Sequence, residues 1–138
     1  MTGDHAAAQE TWRQARSELE PFLKEQPTNV MLIQDMALTN MVLGDKAAAF
    51  ALAERAVATN PVGKDAIVGA HSIEILARVA AGVGEPDRAI AALQKLLSVP
   101  CDGSLASPLT PALLRLDPTF DPLRNDPRFQ KLCEEKKP

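Results

Sequence analysis

Four side chains in this chain could bind a metal or make a nucleophile: His5, His71, Cys101 and Cys133. A structural zinc site needs four ligands at close, recognisable intervals, and a thiolate–imidazole pair needs its two members within hydrogen-bond reach. No CxxC spacing occurs, and the four residues fall in different segments, so no metal, no cofactor and no Cys-His catalysis is expected. The acidic residues Glu18, Glu20, Glu54 and Glu74 lie on separate polar faces, which leaves paired-carboxylate chemistry without support. Gly82-Val83-Gly84 reads as the end of a helix and not as a phosphate-binding loop. The residues of this chain do not point to an enzyme.

The elements that carry these residues are helical. From Pro27 to Pro61, two apolar patterns of helical spacing are joined by Gly44-Asp45, and the two prolines stand 34 residues apart. A fixed period of this size indicates stacked helical hairpins. Gly44 suits the left-handed position after a helix, and Asp45 can cap the next one. The turn chemistry returns at Gly84-Glu85-Pro86, 40 residues later. Helices are predicted over about 5–26, 29–43, 46–59, 65–82 and 86–98.

In the first helix Ala8, Trp12, Ala15, Leu19, Phe22 and Leu23 form one apolar face, with Pro21 expected to kink it on the polar side. The second carries two stripes, Ile33, Met36, Ala37 and Leu43 on one side and Met31, Leu38, Met41 and Val42 on the other, and so is expected to be covered on both. The third buries Ala49, Leu52, Ala53, Ala56 and Val57; the fourth Ile67, Ala70, Ile73, Leu76, Ala77 and Ala80; the fifth Ala89, Ile90, Leu93, Leu96 and Leu97. After Pro100 the pattern breaks into short apolar pieces, each opened by an Asp-Pro, Thr-Pro or Ser-Pro step, ending in a helix over about 127–135.

Composition agrees with an all-α chain: 138 residues, 46% apolar but only 4% aromatic, with eleven prolines, all but Pro21 outside the predicted helices or at their ends. One domain is expected, divided into a leading helix (5–26), a first hairpin (27–61), a second hairpin (62–100) and a C-terminal cap (101–138). The net charge is −3, and the longest basic run is Lys136-Lys137. Neither nucleic acid nor an anionic membrane is therefore an expected partner. The start of the chain lacks a basic segment followed by an apolar core, no stretch has the ~18 apolar residues of a membrane span, and the cysteines are expected to be free thiols. A cytoplasmic protein is expected.

Ala37, Gly44-Asp45, Ala49, Ala56 and Pro61 together resemble the tetratricopeptide repeat (TPR) consensus, in which small residues stand where helices cross. A second copy keeps Ala77, Gly84-Glu85 and Ala89, and the first helix, with Ala15 and Phe22 leading to Pro27, resembles the second half of a repeat. The closing segment LLRLDPTFDPLRNDPRFQKL is similar to the end of many bacterial TPR proteins, found behind a kinase or a winged-helix activator domain. Asn40 and Ala80 depart from the pattern, standing where the family usually has an aromatic residue.

The resemblance implies an α-α superhelix of hairpins with a C-terminal capping segment. The first helix of each hairpin would line a groove presenting Met31, Gln34, Leu38 and Met41 at an apolar end and His71, Glu74 and Arg78 at a charged one. A peptide or protein partner would dock there, or the segment around Leu105 to Leu116 would cover the groove. The lysine and asparagine cluster with which such modules grip a C-terminal carboxylate is not evident. Trp12 marks an open edge that a second copy, giving a homodimer, another partner, or the residues before Trp12 would cover. The expected function is a protein interaction scaffold without catalysis. The alternative is a self-assembly or regulatory module of a bacterial signalling protein.

Overall fold

The computed structural model describes residues 2–60, 64, 66–98 and 110–134. Those residues form helices and no strand: α1 (Thr2–Glu25), α2 (Val30–Leu43), α3 (Lys46–Thr59), α4 (Ala66–Gly82), α5 (Pro86–Ser98), α6 (Pro111–Leu116), a 3₁₀ helix (Pro118–Leu123) and α7 (Pro127–Leu132). The fold is all-α, and α3 and α5 span the residues that the apolar spacing predicts. α1 begins three residues earlier than expected, and α7 ends three earlier.

Local chemistry sets the ends of these helices. Asn29 caps α2, its side-chain oxygen accepting the N–H groups of Met31 and Leu32, and Asp45 caps α3 by accepting from Ala48. Gly44 and Gly84 have φ of 83° and 82°, a left-handed conformation that costs a residue with a Cβ about 1–2 kcal/mol. Each lets the next N–H, of Asp45 or Glu85, reach back to the carbonyl of Asn40 or Ala80, so both helices end alike. In the C-terminal segment Thr110, Asp117 and Asp126 each cap a turn that opens on a proline. Pro21 lies inside α1 without interrupting it.

α2 pairs with α3 and α4 with α5 through these short turns, α1 lies on α2, α3 meets α4, and α2 also meets α4. The core forms two clusters. Ala37, Ala49, Ala53, Ile75, Val79 and Val83 join α2, α3 and α4. A larger one joins α4 and α5 to the C-terminal segment, whose Leu114, Phe120, Leu123 and Phe129 are buried. Phe120 and Phe129 stack at 6.1 Å in a tilted pair. α4 belongs to both clusters, burying Ile73 and Ala77 in one and Ile75 and Val79 in the other.

Two packing expectations are corrected. α2 is covered on one side and only in part on the other: Ile33, Met36 and Ala37 are buried and Leu38 and Met41 half-buried against the core, but Met31 is 69% exposed and Val42 is also exposed. The reason is the reach of α4, which meets the second stripe at Gln34 and Met41 and leaves Met31 and Val42 at its outer margin. The apolar face of α1 is not a core face either. Leu19 and Leu23 are half-buried, while Trp12 and Phe22 are exposed, since α2 reaches only the side of α1 that carries Gln9 and Arg16. Gln9 donates to the Val42 carbonyl at 3.2 Å, and Arg16 to Asn40 Oδ1 at 3.2 Å.

Candidate partner-binding surface

α2 and α4 are in contact, and residues spaced three and four along each share one side of their helix. On α2, Met31 is exposed and Leu38 and Met41 are half-buried. Met41 lies so close to Gly82 that a Cβ there would stand 2.6 Å from its Sδ. Gly82 thus makes room for the thioether between the two helices. Gln34 faces inward: it is buried and donates to Ser72 Oγ at 2.9 Å, joining α2 to α4. An amide so placed fixes the spacing of the helices and is not available to a ligand.

On α4, His71 is exposed, with Nδ1 at 3.6 Å from Glu74 Oε2. Glu74 is buried, and its Oε1 accepts from Arg78 Nε at 3.1 Å and Nη2 at 2.9 Å. Arg78 then donates through Nη1 to Asp117 Oδ2 at 2.8 Å and to Thr119 Oγ1 at 3.3 Å, with its guanidinium 5.5 Å from the centre of the Phe120 ring. Burial works against the Arg78 charge, but the hydrogen bonds and charges of Asp117 and Glu74 outweigh it and hold its pKa above the ordinary value. Asp117 shows the converse. Burial pushes its carboxyl up, and the Thr119 N–H, the Arg78 guanidinium and the Thr119 hydroxyl together bring it below the usual carboxylate range. Glu74 Oε2 is buried without a hydrogen-bond partner and faces the His71 ring.

The charged end of the surface is therefore held by the chain's own 3₁₀ helix. Sequence reasoning assigned that cover to Leu105 to Leu116; residues 105–109 lie outside the described residues, and the contact comes from Asp117, Thr119 and Phe120. In α6, Leu114 is buried, whereas Leu113 and Leu116 are exposed. The residues before Trp12 do not fold over it, because they continue α1.

Two features had no sequence signal beyond single residues. A shallow cleft of about 270 Å³ between α3 and α5 is floored by Ile73 and Leu76. Arg88 lies along it, its guanidinium 4.4 Å from the Phe50 ring centre and 3.4 Å from Glu54. Arg128 joins α7 to α5 through Asp87 at 2.8 Å, and Asp126 lies equally near. Of the metal-ligand candidates, His5 lies on α1, Cys101 is outside the described residues, and Cys133 is buried, its thiol pushed up by burial against the opposing charges of Arg115 and Arg124. Among the described residues no three potential ligands converge, and no helix is long and apolar enough to cross a membrane. No protein family, curated protein or solved structure matches the chain.

Proposed function

We propose that the chain is a TPR-like protein interaction module of the cytoplasm, an α-α superhelix that binds a protein or peptide and performs no catalysis. The observation that carries the reading is the exposed Met31 beside half-buried Leu38 and Met41, on a helix whose inner side is fixed by Gln34 and Ser72. Thioethers have several rotatable bonds and a polarisable sulfur, so a methionine-bearing surface on a rigid backing fits varied apolar side chains. His71 supplies one polar contact at its border. The pairing of Arg78 and Glu74 within the chain narrows the available surface to its apolar end.

Photo-crosslinking from position 31 of the full chain in a cell extract tests this, with position 51 on α3 as the control. A defined protein adduct formed from position 31, absent from position 51 and lost on Leu38→Glu, is the expected result. Equal adducts from both positions would sink the reading. An adduct consisting of the chain itself would replace it with self-assembly.

A further inference from the structure

The uncovered side of α1 has an order that the groove does not explain. Gln9, Arg16 and Leu23, seven residues apart, lie toward α2. Ala8, Ala15 and Phe22 form a second heptad line; Phe22 is 54% exposed, and Trp12, 37% exposed, stands between the two lines. A third line, Asp4, Thr11, Glu18 and Glu25, runs beside the apolar one, four residues out of step with it. Positions four apart share a helix face, so a strip of alanine and aromatic surface is bordered on its outer side by the carboxylates of Asp4, Glu18 and Glu25, while Arg16 on the opposite side is turned to Asn40 of α2. The solvent side of α1 differs: there acids and bases mix, with Arg13 on Glu10 at 3.3 Å.

We propose that this face of α1 docks an amphipathic helix whose apolar stripe is flanked by lysine or arginine. The alanines admit close approach, Phe22 and Trp12 supply the large contacts, and the carboxylate line selects the sign of the flank. At 24 residues α1 is about 36 Å long, enough to pair with a ligand helix of five or six turns. A second copy of this chain fits worse. Two α1 helices crossing antiparallel so that Trp12 meets Phe22 bring Glu18 of one beside Glu18 of the other at the centre, where like charges repel. The proposal rests on the interaction-module reading and names a partner for the edge of the module and not its groove.

Trp12 is the only tryptophan, so its emission reports directly on this face. The full chain is titrated with a 21-residue helical peptide of leucine and alanine flanked by lysine, and with the same peptide flanked by glutamate. A saturable blue shift with the lysine peptide, at least about tenfold weaker with the glutamate peptide and at least about tenfold weaker again with Phe22→Glu, is expected. Added salt should weaken it. Phe22 is not part of the core, so the variant should keep its circular dichroism. A Glu18→Lys, Glu25→Lys double variant should reverse the preference and bind the glutamate peptide. No shift, or equal binding of both peptides, overturns the proposal. Binding lost on Met31→Glu but kept on Phe22→Glu overturns it while leaving the interaction-module reading intact. A blue shift that grows with protein concentration alone identifies a second copy as the occupant and also overturns it.

Discussion

Arg78 is a polar side chain whose loss would be felt furthest, because it satisfies three groups at once. Removing it leaves Glu74 buried without its cation and frees Asp117 and Thr119 from α4. Arg78→Ala should cost about 3 kcal/mol in urea denaturation, while Asp117→Asn, at a more exposed partner, should cost less. The pH dependence follows from the direction of the Asp117 shift. A carboxyl held low in the folded state contributes its full stabilisation above its unfolded pKa of about 4 and loses it as pH falls through the lower folded value. Thermal melts of the native chain and Asp117→Asn should therefore differ at pH 7 and draw together as the pH falls through the lowered folded value. The guanidinium stays charged throughout that range. Spacing on α4 was enough to bring His71, Glu74 and Arg78 forward as a group. It could not show that Asp117 and Thr119 engage Arg78, since they come about 40 residues later, in a segment punctuated by proline and without a period to extrapolate.

At the scale of the element, the turns were the most legible part of the chain. Gly44-Asp45 and Gly84-Glu85 each determine a left-handed residue and a helix start by local chemistry, and such chemistry is independent of tertiary context. Gly44→Ala should thus cost about 1 kcal/mol by the backbone alone, measurable as a lower urea midpoint with an unchanged slope. Gly82 acts by a different mechanism. Gly82→Ala should displace the flexible Met41 side chain at little cost in stability, so the expected readout is a shifted Met41 methyl resonance with a nearly unchanged midpoint. The burial of α1 and of the second α2 stripe was not legible. A helical wheel shows that one side is apolar, but whether a neighbour arrives to cover it is a property of the stack, and on α2 the buried amides of Gln34 and Asn40 took positions that hydropathy assigns to solvent.

Across the whole molecule, stability should be graded. α4 contributes to both apolar clusters, whereas α1 has no fully buried side chain among its described positions and packs mainly on α2. Native-state hydrogen exchange should show α1 amides opening locally and α4 amides exchanging only with global unfolding. Equal protection of the two helices would contradict this gradient. The contact of the 3₁₀ helix with Arg78 has a consequence for ligand length. With one end of the surface occupied by the chain itself, the free part runs along α2 from Met31 to Met41, about 15 Å, which an extended peptide crosses in about four or five residues. So short a footprint buries far less than a standard interface and selects a brief apolar motif, with weak affinity and fast exchange. Durable attachment would then come from tethering, a second contact elsewhere on the same ligand raising the effective concentration of the first.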